Sequence, residues 1–165
     1  FITHTMNVFG ERQHPEKFIP KCIISARDNL SVEIHSNKKK TKAGSRHYIH
    51  ASDVADGCLF LIKNRNKIVK KIKNDYGGAK CPKFNLVGPV ELDNLQLAKL
   101  IAKSVGKKLK YKMVDFHSSR PGHDLRYALD GNLMKKLGWK PKVSIEERID
   151  QVVSWTLKNK RWLKI

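Results

Sequence analysis

The sequence predicts an α/β fold in which helices and strands alternate without an internal repeat. Apolar residues recur at helical spacing in three segments, residues 17–27, 93–105 and 144–156. Short β-branched or apolar stretches lie before and between them, at residues 1–6, 32–35, 84–87 and 109–114. The chain has 165 residues, of which 40% are hydrophobic, so it can bury one modest core.

The first half opens with a strand over residues 1–6, which are rich in β-branched and apolar types. A loop over residues 7–15 then leads to a helix at 17–27. The strand at 32–35 and a lysine-rich loop at 36–44 follow. The chain begins at Phe1, inside the first predicted strand and without an initiator methionine, so we expect residues 1–165 to be one truncated unit of a longer protein.

A second helix is predicted to begin near Ser52 or Asp53, after a brief extended piece at residues 48–49. One face of this helix is expected to carry four apolar residues, Val54, Cys58, Leu61 and Ile62. The basic stretch at 63–73 fits neither a helix nor a loop clearly, and residues 75–78 (D-Y-G-G) predict a turn.

In the second half, the strand at 84–87 is followed by a helix at 93–105 that ends at Gly106. Asp93 with Gln96 resembles a capping box at its start. The next strand is residues 109–114. Ser144 with Glu147 forms a second capping-box pattern before the last amphipathic helix.

The composition limits the classes of partner. Cys22, Cys58 and Cys81 are widely spaced and the histidines show no ligand spacing, so we expect reduced thiols and no metal site. The longest apolar stretch, residues 54–62, is too short to span a bilayer, and no signal peptide is recognised, so we expect a cytoplasmic protein without a membrane partner.

The formal net charge is +19, from 34 Lys and Arg against 15 Asp and Glu. The lysines form short runs on several predicted elements, without the interleaved aromatic residues that would stack nucleic-acid bases. We interpret these runs as solvated faces and do not expect a nucleic-acid partner. A stand-alone basic module that binds a polyanion is the alternative.

The motifs of a complete enzyme are absent from the sequence. There is no glycine-rich dinucleotide loop, no P-loop, no H-E-x-x-H and no G-x-S-x-G. Tyr48, Tyr111 and Tyr127 have no lysine four residues later, whereas Tyr76, in the predicted D-Y-G-G turn, has Lys80 at that spacing. We therefore predict no catalytic residue in this chain.

Three side chains suit the binding of a diphosphate. Arg46 and Arg120 are predicted at loops or strand ends, where a guanidinium binds phosphate oxygens in a bidentate manner. Asn94 lies in the first turn of a predicted helix, and we expect its amide and the free N–H groups of that turn to point at an anion.

Several segments resemble the dTDP-glucose 4,6-dehydratases, which are extended short-chain dehydrogenases. They are residues 7–10 with 15–20 (N-V-F-G and P-E-K-F-I-P), 46–54 (R-H-Y-I-H-A-S-D-V), 84–88 (F-N-L-V-G), 120–130 (R-P-G-H-D-L-R-Y-A-L-D) and 137–141 (L-G-W-K-P). The first and fourth segments are the most specific to 4,6-dehydratases, whereas the third and fifth occur in many sugar-nucleotide enzymes. The resemblance covers almost the whole chain.

The resemblance implies the C-terminal part of such an enzyme: the edge of the Rossmann sheet and the small substrate-binding domain. The implied parent uses NAD to make the 4-keto-6-deoxy sugar from dTDP- or UDP-glucose and is a homodimer. Its NAD site, its Tyr/Lys pair and its Asp/Glu pair belong to the N-terminal half, so residues 1–165 are expected to be inactive alone. An alternative within the same superfamily is an NDP-sugar epimerase or decarboxylase. A Thr-Asp-Glu motif before Tyr-x-x-x-Lys in the other half would exclude this alternative.

The resemblance also implies the substrate-binding residues, matched position by position. They are Asn7, Lys17 and Phe18 near the sugar, Glu33 and His35 beside the base, Arg46, Asn94 and Arg120 at the diphosphate, and His123 as a further contact. The residues that differ from the family pattern include Val8, Glu11, Glu33 and His35. Asp124, Arg126 and Tyr127 are expected to hold the loop that carries His123.

Overall fold

Helices and strands alternate along the chain in the computed structural model, which describes residues 1–75, 81–115 and 124–163, without the side chains of 72–75. The strands are β1 (Ile2–Thr5), β2 (Val8–Phe9), β3 (Ser31–Ser36), β4 (Ser45–His47), β5 (Ile49–His50), β6 (Lys83–Leu86), β7 (Glu91–Asp93), β8 (Lys110–Asp115) and β9 (Arg126–Tyr127). The helices are α1 (Phe18–Arg27), α2 (Ala51–Lys63), α3 (Arg65–Asp75), α4 (Asn94–Val105), α5 (Asn132–Lys136) and α6 (Ile145–Lys158), and a 3₁₀ turn spans Lys160–Leu163. None of the helices in the described ranges is long and apolar enough to cross a membrane.

The strands form small sheets that are mostly parallel. β1 pairs with β6, β2 with β5 and β3 with β8, each in parallel. A three-stranded sheet has β4 at its centre, antiparallel to β7 and parallel to β9. Parallel strands require crossover connections, and the helices between them supply these. The observed architecture is therefore α/β, as predicted.

The larger hydrophobic core lies between β3 and the helices α1, α4 and α6. Alternate residues Val32, Ile34 and Ser36 of β3 are buried, as expected for a strand with one face on the core. Each of the three helices contributes its apolar stripe, and α4 packs against both α1 and α6. This core holds the end of β3, which carries His35, against the start of α4, which carries Asn94.

A second core lies between the β1–β6 pair and the helices α2, α3 and α5. Phe84 and Leu86 of β6 are fully buried there beside Trp139. At Gly57 in α2, a Cβ atom would come within 2.8 Å of Leu86 and 2.9 Å of Trp139. Only glycine allows α2 to lie this close to the sheet.

Most of the predicted elements are confirmed, with shifts of one or two residues at their ends. The capping box of Asp93 and Gln96 forms as predicted, and Gly106 ends α4 with φ at 74°. Ser144 accepts a hydrogen bond from the Glu147 amide, which confirms its capping role.

The second helix begins at Ala51, one residue before the predicted start, because the His50 side chain caps it by accepting from the Ser52 amide. Two expectations were wrong. Ile62 does not share the buried face of α2 and is 58% exposed. The loop predicted at 7–15 contains the short strand β2, and β4, which directly follows the loop predicted at 36–44, was not predicted. The ambiguous basic stretch forms α3. The predicted turn at 75–78 lies almost wholly outside the described residues.

Candidate functional site

Arg46 lies in the middle of β4, and backbone carbonyls hold its guanidinium group. Nη1 donates to the carbonyl oxygens of Ser45 at 2.7 Å and Leu125 at 3.1 Å, and Nη2 donates to that of Asp124 at 3.0 Å. These bonds use three of the five N–H donors of an arginine. Within the described part of the chain, no carboxylate forms an ion pair with Arg46. The guanidinium is thus positioned by neutral groups, with donors left over and its charge uncompensated.

Asn94 is the first residue of α4, and Tyr48 fixes the orientation of its side-chain amide. The Tyr48 hydroxyl donates to Asn94 Oδ1 at 2.7 Å, which leaves the Nδ2 hydrogens as donors. Burial raises the pKa of Tyr48 above its usual range, although the nearby Arg46 opposes this shift. The hydroxyl therefore remains protonated, and able to donate, well above neutral pH.

Arg46 and Asn94 meet at Gly44. A Cβ atom at Gly44 would lie 3.6 Å from Arg46 Nη1, 3.6 Å from Asn94 Nδ2 and 3.2 Å from the Leu125 carbonyl oxygen, so both side chains border the same glycine. The Gly44 amide also donates to the His35 carbonyl at 3.1 Å. The structure thus brings together Arg46, Asn94 and the backbone of His35.

The backbone at the start of α4 does not contribute as expected. The Asn94 amide donates to the Gly44 carbonyl at 2.8 Å, and the Gln96 amide donates to Asp93 Oδ1 at 2.8 Å. An anion at this helix end cannot use either amide. The expectation that free N–H groups of the first turn assist Asn94 is wrong for these two groups, because the cap and the preceding loop occupy them.

Glu33 and His35 lie on the face of β3 that points away from the core. Glu33 is exposed and lies opposite Lys112 in the β3–β8 register, whereas His35 is half-buried opposite Val114. The carbonyl of His35 accepts the hydrogen bond from the Gly44 amide, whereas Glu33 lies two residues further along the strand from this contact. The structure places His35 at the site more directly than Glu33.

Asn7, Lys17 and Phe18 lie on the segment between β1 and α1. Asn7 has a positive φ of 50°, its carbonyl accepts from the Ile49 amide at 3.3 Å, and its Nδ2 is buried without a hydrogen-bond partner. Lys17 is exposed at the N-cap of α1, and Phe18 packs partly against the larger core. No measured contact joins these three residues to Arg46 or Asn94.

Arg120 and His123 lie outside the described residues, so their roles stay predictions. The loop residues that follow them are described. Arg126 makes a bidentate ion pair with Glu91, at 2.8 Å for each oxygen, and Ser45 donates to the same carboxylate at 2.6 Å. These bonds lower the pKa of Glu91 to about 2. Arg126 therefore ties β9 to β7, as expected, whereas Tyr127 is exposed.

Sequence reasoning missed Gly44, Tyr48 and Glu91 as parts of the site. Tyr48 stands inside the R-H-Y-I-H motif, so its position in that motif was the available signal. Gly44 and Glu91 have no comparable signal, because their importance depends on strand pairings across 44 or more residues.

Comparison with known proteins gives a consistent result. Residues 1–75 match the NAD dependent epimerase/dehydratase family. The low-salt glycan biosynthesis protein Agl12 of Haloferax volcanii is 34% identical over 94% of this chain and 44% of its own length. The dTDP-D-glucose 4,6-dehydratase of Mus musculus is 33% identical over 96% of this chain and 41% of its own length.

The solved structures agree. DesIV, a dTDP-glucose 4,6-dehydratase from Streptomyces venezuelae crystallised with NAD, superposes with a TM-score of 0.75, at 29% identity over 99% of this chain and 46% of its own. The matched region is the C-terminal part of these enzymes. The chain spans less than half the length of the relatives it matches.

Proposed function

The chain belongs to the NAD-dependent epimerase/dehydratase family, and we propose that it forms the sugar-nucleotide-binding part of an NDP-glucose 4,6-dehydratase. Its relatives are NAD-dependent sugar-nucleotide dehydratases and epimerases. In the proposed whole protein, bound NAD would supply the hydride transfers, an oxidation at the sugar C4 and a reduction at C6, with water eliminated across C5 and C6 between them. The role of residues 1–165 is to bind and orient the sugar nucleotide.

The residues described here do not fit the pyrophosphate of a dinucleotide. Such a pyrophosphate needs a glycine-rich loop between a strand and a helix N-terminus. None of the described strand-to-helix connections has this composition, since the loop from β2 to α1 contains one glycine and β5 leads directly into α2. We therefore propose that NAD and the proton-transfer residues are held mainly by the other half of a longer protein, and that residues 1–165 are inactive alone.

The convergence of Arg46 and Asn94 at Gly44 carries the proposal. A diphosphate has several oxygens within a few ångströms and binds best to preorganised donors and an unpaired guanidinium. Arg46 supplies the charge, and Asn94 supplies a directed amide. Because neutral carbonyls already hold the guanidinium, little side-chain entropy is lost when the ligand binds.

The orphaned Nδ2 of Asn7 supports a second contact. A buried amide nitrogen without a partner costs free energy, which a ligand oxygen can recover. A sugar hydroxyl or a phosphate oxygen would supply that acceptor. With Asn7 we assign Lys17 and Phe18 to the sugar, Glu33 and His35 to the base, and Arg120 and His123 to the diphosphate side, as the resemblance implies.

The test measures binding of dTDP and UDP to the 165-residue chain by calorimetry. Arg46→Gln should weaken binding about ten- to a hundredfold, because it removes charge-assisted bonds worth about 1.5–3 kcal/mol. Arg12→Gln is the matched control, since Arg12 is exposed and takes part in none of the hydrogen bonds that hold Arg46 and Asn94. Equal affinity of the wild type and Arg46→Gln would remove Arg46 from the site.

In the full-length protein, the product of dTDP- and UDP-glucose turnover distinguishes the reactions. We expect a 4-keto-6-deoxy sugar, whereas a C4 epimer would favour the epimerase alternative. Arg46→Gln should raise KM more than it lowers kcat, because the diphosphate is remote from the reacting carbons.

A further inference from the structure

A cavity of about 350 Å³ lies between the loop after β6 and the start of α5. Its buried floor consists of Val87, Met134 and Trp139, and Leu129 and Pro141 form its sides. Ligand pockets are typically of this size or larger, and are mainly apolar with a few directed polar groups.

The cavity opens on the opposite face of the three-stranded sheet from Arg46. Successive side chains of a strand point to opposite faces. Ser45 and His47 of β4 both reach Glu91, with His47 Nε2 3.9 Å from Glu91 Oε2, and His47 also lines the cavity. Arg46, between them, points the other way. The cavity is therefore separate from the space at Gly44.

Two lysines give the mouth of the cavity a positive charge. Lys135 and Lys140 line it and are exposed, and neither forms an ion pair within the described ranges. Three other polar groups of the lining are engaged within the protein. His47 Nδ1 donates to the Gly88 carbonyl at 3.3 Å, Asn85 Nδ2 donates to the Asp130 carbonyl at 2.9 Å, and the Asp130 carboxylate accepts from the Asn132 amide.

This combination selects one class of ligand. The apolar floor favours a flat hydrophobic body, and the two lysines favour an anionic group at the mouth. The lining residues include two lysines and one acidic residue, Asp130, so the charged groups of the lining together favour an anion. We propose that this cavity binds a small organic anion with an apolar ring, and that its charged group lies between Lys135 and Lys140.

Phenyl phosphate is a suitable probe, and two-dimensional NMR of the 165-residue chain is the readout. Binding should shift the Trp139 indole N–H, which donates to Asp56 at 2.8 Å, and the amides of Gly88 and Gly131. The double variant Lys135→Gln/Lys140→Gln should bind about tenfold more weakly, because it loses charge-assisted contacts.

The control is Lys136→Gln/Lys158→Gln, which removes the same charge from exposed positions outside the cavity. Its affinity should stay within about twofold of the wild type, since neither lysine lines the cavity and salt screens surface charges. Three outcomes would overturn the proposal: equal weakening in the control, equally tight binding of inorganic phosphate, or shifts at Asn94 instead of Trp139. The last outcome would locate the probe in the candidate nucleotide site, so the two proposals fail separately.

Discussion

Tyr48 determines how the Asn94 amide is presented. Its hydroxyl is buried, and the bond to Asn94 Oδ1 is short at 2.7 Å. In Tyr48→Phe the amide oxygen loses this partner and the amide can rotate. We expect a loss of about 1 kcal/mol in the free energy of unfolding, together with weaker dTDP and UDP binding. Urea denaturation and calorimetry measure the two effects.

Tyr127→Phe is the matched control, because Tyr127 is 53% exposed. Its unfolding free energy should stay within about 0.5 kcal/mol of the wild type. If Tyr48→Phe lost stability but bound both nucleotides normally, the hydroxyl would serve packing alone.

Glu91 makes the stability of the three-stranded sheet depend on pH. Hydrogen bonds from Arg126 and Ser45 lower its pKa to about 2, below the usual value of about 4.3 for a glutamate. A carboxyl with a lowered pKa contributes stability that is fully present above its unfolded pKa and is lost as the pH falls through the folded one. The contribution of Glu91 is therefore lost between about pH 4.3 and pH 2.

Arg126→Gln should raise the pKa of Glu91 and move acid unfolding to a higher pH. Circular dichroism across the range from pH 6 to about pH 2 measures the midpoint, over the window set by the two pKa values. Arg12→Gln, which has no ion pair among the described residues, should leave the midpoint unchanged. A midpoint that does not move in Arg126→Gln would show that this ion pair has no role in acid stability.

At the scale of elements, length and an apolar stripe together decide what the sequence can predict, since the basic helix α3 has 11 residues and was not predicted. The helices α1, α4 and α6 have 10 to 14 residues, enough for an apolar stripe to repeat, and all three were predicted. Strands β2, β4, β5, β7 and β9 have two or three residues each, too few for an alternating pattern. Their formation depends on partners far along the chain, which local propensity does not contain.

The same limit applies to the candidate site. Arg46 and Asn94 were predicted from their residue types and from the family motif, and the structure brings them together. Their common neighbour Gly44 was not predicted, because the contact needs the pairing of β4 with β7 and the bond from the Asn94 amide to the Gly44 carbonyl.

Helices α2 and α6 are joined by a buried ion pair. Asp53 accepts two bonds from Arg148, at 2.6 and 3.1 Å, and Asp53 is 6% exposed. Because α2 packs in the smaller core and α6 in the larger one, this pair links the two cores. Asp53→Asn leaves the Arg148 charge without its counterion.

We expect Asp53→Asn to lower the free energy of unfolding by about 3 kcal/mol, the lower end of the cost of breaking a buried ion pair. Equilibrium urea denaturation measures it. Asp150→Asn on the exposed face of α6 is the control, with an expected change within about 0.5 kcal/mol. A cost below about 1 kcal/mol in Asp53→Asn would mean that packing alone joins the cores.

At the scale of the whole molecule, the net charge of +19 is the feature that binding of a sugar nucleotide does not require. The described exposed lysines are spread over several elements, including Lys67, Lys70 and Lys71 on α3 and Lys99 and Lys103 on α4. A protein that reads nucleic acid concentrates such charge on one face with stacking aromatics. A dispersed charge instead attracts any polyanion weakly.

Random-sequence duplex DNA tests this difference. Binding at low salt should disappear by roughly 200 mM salt, because it depends on counterion release. The triple variants Lys67→Gln/Lys70→Gln/Lys71→Gln and Lys99→Gln/Lys103→Gln/Lys107→Gln should reduce the salt dependence of binding by similar amounts, since each removes three exposed charges from a different part of the chain. Fluorescence anisotropy measures the affinity across a salt series. Two results would contradict the interpretation of a dispersed charge: loss of binding in the α3 triple variant alone, or sequence-preferring binding that survives the higher salt. Either result would mean that the lysines form an organised nucleic-acid surface, as the polyanion-binding alternative requires.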